Sequence, residues 1–171
     1  TIYNPVCGGR ESERRLRADT QIGQGLPARG ESGEISRVQE WVLNVLYPQH
    51  WADSGDYCDP ASNVNNASVV VQFEMSGRKV LLMGDAEHEL EEKLLSDGLI
   101  SDVDILKAGH HCSRTSSTAP FLLAAKPEIA ICSVGKGNRY GHPHQETIEK
   151  FRQLGIEYLL TSEEGDIVIN L

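Results

Sequence analysis

Three short apolar runs in this chain each end directly in a polar cluster that contains glycine. Leu81-Leu82-Met83 gives way to Gly84-Asp85-Ala86-Glu87, and Ile105-Leu106 to Lys107-Ala108-Gly109-His110-His111-Cys112-Ser113-Arg114. The apolar stretch 129–134 runs into a glycine-rich loop that carries Asn138-Arg139-Tyr140-Gly141-His142-Pro143-His144. A buried strand that stops at glycine and polar residues delivers side chains to a sheet edge, where layered α/β folds place their chemistry. The repeated strand-then-cluster pattern therefore predicts an α/β domain with several reactive side chains along one edge.

The remaining periodicity agrees with that class. Strands are predicted at 41–46, 68–75, 79–83, 103–106, 129–134, 157–160 and 166–171, and helices at 87–95, 113–125 and 145–154. Ser76-Gly77 supplies the two-residue turn of a hairpin, and Gly155 ends the third helix. Thr1-Ile2-Tyr3 has the character of a strand tail, 7–36 is loop-rich with turn residues at Gly23 to Gly30, and 50–66 is a polar loop. Two segments result: a loop-rich stretch at 1–62 with one or two strands, and a regular one at 63–171.

Charge narrows the function classes. With 25 acidic and 16 basic residues the formal net charge is -9, the reverse of the basic footprint of a free-standing nucleic-acid binder. A bound dication can supply positive charge locally, so a phosphodiester substrate stays open. Arg10, Arg14, Arg15 and Arg17 form a basic cluster better explained as a solvated face. No apolar run approaches the roughly 20 residues of a membrane span, and the first residues are not a signal peptide. Because the chain opens on Thr1, a fragment or processed product is expected. Cys7, Cys58, Cys112 and Cys132 show no paired spacing, so buried or incidental free thiols in a reducing compartment, by default the cytoplasm, are expected.

Each cluster has a plain structural explanation beside the chemical one. Asp85 suits the N-cap of the helix after it, Ser113 suits another cap, Arg114 a surface charge and His144 a surface position. Adjacent histidines project differently, so at most one of His110 and His111 binds a metal in a given site, and the other handles a proton or a substrate oxygen. Ser113 and Arg114 could meet phosphate at a helix start. His142 lies between Gly141 and Pro143 in a rigid turn. Taken together, an Asp, a His pair and a further His at successive strand ends are the pattern of a divalent site of carboxylate and imidazole.

Leu-Met-Gly-Asp85-Ala-Glu, Leu-Lys-Ala-Gly-His110-His111-Cys-Ser-Arg-Thr-Ser and Ser-Val-Gly-Lys-Gly-Asn138-Arg-Tyr-Gly-His142-Pro-His resemble three successive signatures of the metallo-β-lactamase fold. The branch is that of the ComEC-type DNA-uptake competence proteins and their nuclease-like domain. Asn63 to Ser68 is similar to the Asn-rich lead into a preceding strand, and the ending from Gly155 to its last strands. The resemblance implies an αββα sandwich, here without its N-terminal half, and a dinuclear site for two Zn2+ ions, or Mn2+ in some members. It implies metal-assisted hydrolysis of a phosphodiester, nucleic acid or a small molecule, by water activated at that site. By position Asp85 matches the bridging carboxylate and His111 the histidine ligand. His110 and His142 match catalytic roles, and Ser113, Asn138 and Tyr140 line the substrate pocket.

Two departures set up rival readings. Nothing matches the family's first metal motif, HxHxDH; the nearest candidate, His50-Trp51-Ala52-Asp53 with Asp56 and Asp59, has the wrong spacing. Cys112 stands where the family has glycine, and is expected to crowd the pocket or offer a soft donor. A catalytically inactive remnant or an anion-binding module is the alternative to an enzyme. Half of such a fold leaves an apolar sheet face uncovered, so pairing with a missing segment or with a second copy is expected.

Overall fold

The computed structural model describes residues 34–38, 41–48 and 63–170. The expected strand tail at residues 1–3, the arginine cluster, the turn at 23–30, the His50 to Asp59 candidate, Cys7 and Cys58 lie outside the described residues. Among the described residues seven strands form one sheet in chain order: β1 (Glu34–Val38), β2 (Trp41–Tyr47), β3 (Val70–Met75), β4 (Arg78–Leu82), β5 (Ile105–Lys107), β6 (Ile129–Cys132) and β7 (Glu157–Leu160). Strands β1 to β4 pair antiparallel, while β4 to β7 pair parallel. The parallel connections carry α1 (His88–Ser96), α2 (Ala119–Ala125) and α3 (Gln145–Leu154), and a four-residue α4 (Thr161–Glu164) follows β7. Among the described residues no helix is long and apolar enough to cross a membrane.

The hairpin turn forms as its residues dictate: Ser76 and Gly77 both take positive φ, 53° and 78°, as a type I′ turn requires. Four expectations need correction. Residues 34–38 are a strand, although glycine and charge made 7–36 look like loop; pairing with β2 outweighs weak local propensity. The strand expected from 68 starts at Val70, because Val64–Ala67 winds into a 3-10 turn capped by the Asn63 side chain. The helix expected over 113–125 starts only at Ala119, since the backbone N–H groups of Ser117 and Thr118 donate to the Glu91 carboxylate at 2.5 and 2.8 Å. Glu91 is wholly buried on α1, and burial pushes its carboxyl up despite those two bonds and the nearby Lys150. No strand forms at 166–170 among the described residues: β7 is the last strand of the sheet, no ladder partner meets the Asp166-Ile167-Val168 alternation, and Val168 is exposed.

The sheet is apolar on both faces. Val70, Leu81, Leu106, Ala130, Cys132 and Leu160 share one face and join the core with Phe121, Leu122, Ile148 and Phe151 from α2 and α3. Register puts Leu43, Val71, Phe73, Val80, Leu82, Ile105, Ile131 and Leu159 on the other face, where most are only half-buried. An apolar second face is what a sandwich layer needs, and it also explains the continuous apolar runs in β4 to β6.

Asp104 ties the hairpin to the parallel half: one carboxylate oxygen accepts from the Lys79 backbone N–H at 2.6 Å, the other from Arg78 at 2.7 Å. The backbone bond first, and then Arg78, hold its carboxyl below its ordinary value against burial. A depressed carboxyl stabilises the fold above its unfolded pKa and loses that contribution as pH falls through the folded one. Asp104→Asn is therefore expected to cost about 1 kcal/mol at neutral pH, a difference that should vanish below the usual carboxylate range in urea titrations at stepped pH. A constant difference across that range would contradict the assignment.

Candidate metal centre

Because β4, β5 and β6 are adjacent and parallel, the three polar loops leave the same edge of the sheet. The loop after β4 turns at Gly84, which has φ +59° and where a Cβ would stand 2.8 Å from that of Ser68. The Ser68 hydroxyl accepts the Asp85 backbone N–H at 2.8 Å, and the half-buried Lys107 ammonium donates to the Gly84 carbonyl at 2.7 Å. Burial lowers the Lys107 pKa, while the neighbouring Asp85 charge opposes that shift. Asp85 is not the helix cap; Glu87 occupies that position.

The loop after β5 is unusual in backbone. His110, His111 and Cys112 take positive φ of 42°, 54° and 59°, a left-handed run that costs each non-glycine residue roughly 1–2 kcal/mol. Several contacts hold it. Gly109 packs so closely that a Cβ would lie 2.3 Å from the Ala86 carbonyl oxygen, the Ser116 hydroxyl donates to the Gly109 carbonyl at 2.8 Å, and the His110 N–H reaches the Gly84 carbonyl at 3.3 Å. A disulfide joins Cys112 to Cys132 at the end of β6, with Cα atoms 5.5 Å apart. This corrects the expectation of free thiols at Cys112 and Cys132. It also corrects the reading of Cys112 itself, whose sulfur is buried in that bond and neither crowds the cleft nor offers a donor.

The geometry distinguishes the two histidines. His111 Nδ1 lies 2.7 Å from the Ser133 carbonyl oxygen; a carbonyl only accepts, so Nδ1 carries a proton, and in the neutral ring Nε2 keeps its lone pair. That Nε2 stands 3.5 Å from Asp85 Oδ1. Two donors on a tetrahedral zinc at ordinary bond lengths are about 3.4 Å apart. A histidine whose far nitrogen is tied to a carbonyl is the usual support for a metal ligand. His110 instead turns Nδ1 to Glu87 Oε1 at 2.5 Å.

The loop after β6 brings His142 over both. Its ring lies 5.4 Å from His110, edge-on, and 6.1 Å from His111, nearly parallel. Burial, and then the nearby His144, His110 and His111, push the His142 pKa down against the pull of Asp85. Asn138 braces this turn: its amide donates to the His142 carbonyl at 2.6 Å, and its oxygen accepts the His142 N–H at 3.0 Å. Both ends of the Asn138 side chain are thus taken up by the loop expected to contact substrate. Tyr140 is exposed and stacks near His142 at 6.0 Å, with Arg139 donating to its hydroxyl at 3.2 Å. Ser113 is buried, and its hydroxyl pairs with that of Thr115 at 3.0 Å. His144 caps α3, and its Nδ1 accepts the Arg114 N–H at 3.0 Å, a role larger than the surface position expected.

Glu87, Lys107, the Ser133 carbonyl and the asparagines of 63–66 were not singled out as site residues by sequence. Only the Asn-rich run hinted at them. Glu87, His88 and Glu89 bring three possible donor atoms within 4.8 Å of one another. Glu87 is already engaged: Asn63 bonds one oxygen, and Asn65 and His110 share the other. Asp85 with His111 is the better-fitting donor pair.

The Metallo-beta-lactamase superfamily pattern matches residues 63–136, the span holding Asp85 and the His pair. The chain belongs to the metallo-β-lactamase superfamily, whose fold implies a divalent metal, and within it to the ComEC-like branch. It is 35% identical to ComE operon protein 3 of Bacillus subtilis over 92% of this chain and 19% of that protein. It is 36% identical to Competence protein ComA of Neisseria gonorrhoeae over 63% of this chain and 16% of that protein. Recombination protein 2 of Haemophilus influenzae is 30% identical over 91% of this chain and 20% of its own length. The chain thus spans about a fifth of the length of the curated relatives it matches.

Proposed function

We propose that this chain forms part of a metal-dependent phosphodiester hydrolase in which Asp85 and His111 hold a divalent cation, zinc or manganese. The carrying observation is His111, its Nδ1 tied to the Ser133 carbonyl and its Nε2 facing Asp85 at 3.5 Å. Asp85 has a second carboxylate oxygen, which a bridging role between two cations requires. A cation there would act as a Lewis acid toward water and toward charge on phosphorus. His110 and His142 flank that position and serve proton transfer to the departing oxygen. Tyr140 and Arg139 offer an exposed aromatic and a cation to the rest of the substrate. The names of two relatives refer to competence and recombination, which favours a nucleic acid as the phosphodiester.

The test is hydrolysis of bis(p-nitrophenyl) phosphate and of a short DNA by the purified chain with Zn2+ or Mn2+ added. Turnover that disappears with a chelator and returns with metal is expected. Bound metal without hydrolysis of either substrate would replace this reading with an anion-binding module.

A further inference from the structure

The Glu87 carboxylate is buried, yet none of the roles assigned above uses it. It is prepared on its far side: Asn63 donates to Oε2, Asn65 to Oε1 at 2.9 Å, and Asn66 Oδ1 accepts the Glu87 backbone N–H at 2.8 Å. On its near side the carboxylate meets His110 Nδ1 at 2.5 Å. His110 is itself fixed in left-handed backbone. A buried carboxylate and a strained histidine are both costly, and such costs cluster where geometry is functional.

We propose that Glu87 is the positioning residue for His110. An acceptor-only carboxylate takes the Nδ1–H, so the imidazole is held as the Nδ1–H tautomer and Nε2 is committed to the catalytic cluster beside His142. The asparagines of 63–66 hold the carboxylate, and the carboxylate holds the histidine. Glu87 touches neither substrate nor cation in this scheme. Its effect on rate rests on the hydrolase reading above, whereas its effect on the tautomer does not.

Imidazole 15N spectra of the full chain, wild type and Glu87→Gln, provide the test, alongside metal content and steady-state kinetics. The wild type should show His110 as a single Nδ1–H tautomer. In Glu87→Gln, whose amide can donate to Nδ1, that single form should be lost. The metal content should stay unchanged, and kcat should fall by about 10- to 100-fold with KM little altered. Asn65→Ala, which loosens the carboxylate without removing it, should give a smaller change of the same kind and guards against misfolding of the first variant. An unchanged tautomer in folded Glu87→Gln overturns the proposal, as does an unchanged kcat once the tautomer has changed. If the wild-type chain neither binds metal nor hydrolyses phosphodiesters, the parent reading fails on that result. The wild-type spectrum still decides this one, because an Nε2–H form of His110 refutes it.

Discussion

Replacing Asp85 or His111 with alanine is expected to empty the metal centre and reduce hydrolysis on the order of a thousandfold, while leaving the fold intact. The size follows from the several kcal/mol that a Lewis acid contributes to charge stabilisation at phosphorus. Folding should survive because both side chains are nearly half exposed and neither belongs to the core. Metal analysis after gel filtration, with circular dichroism as a fold control, makes the measurement. His110→Ala should retain its metal, since that ring faces Glu87 and not Asp85. His88→Ala and Glu89→Ala should also retain it, which separates the proposed pair from the acidic group at the start of α1. Full metal content in both Asp85→Ala and His111→Ala would end the assignment.

Removing the Cys112–Cys132 bond should lower stability by about 3 kcal/mol, the entropy released to an unfolded loop of that size; the two cysteines are 20 residues apart. A second consequence is local. The bond lies at the end of the left-handed run His110 to Cys112 and ties it to β6, one residue before the Ser133 carbonyl that orients His111. Once the bond is gone, the run can relax toward ordinary backbone and His111 loses its fixed direction. The Cys112→Ala/Cys132→Ala double variant should therefore bind metal at least tenfold more weakly at concentrations of urea where it is still folded. Urea unfolding with and without reductant tests the first effect, and metal titration the second. Identical unfolding curves for oxidised and reduced chain would show that the bond does not contribute.

Much of the architecture was legible because it is local. Apolar runs ending in glycine located β4, β5 and β6 to within two residues at each end, Ser76-Gly77 located the hairpin, and the period of 145–154 located α3 with its glycine cap. The three polar clusters were legible too, and so was their convergence, since successive parallel strands put their following loops on one edge.

What the chain determined by itself was therefore which residue types stand at which strand end, and hence the class of chemistry. Tertiary structure alone decided how those residues divide the work. His110 and His111 are neighbours with the same side chain, and only the Ser133 carbonyl just after β6 and the Glu87 carboxylate at the cap of α1 turn one toward Asp85 and the other away from it. Likewise Cys112 and Cys132 became partners because β5 and β6 lie side by side, and the helix expected from 113 was delayed to Ala119 by a buried glutamate on α1. Hydrogen bonds and covalent pairing between residues 20 or more positions apart leave no periodic trace in a sequence, because they are set by which strands become neighbours rather than by spacing along the chain.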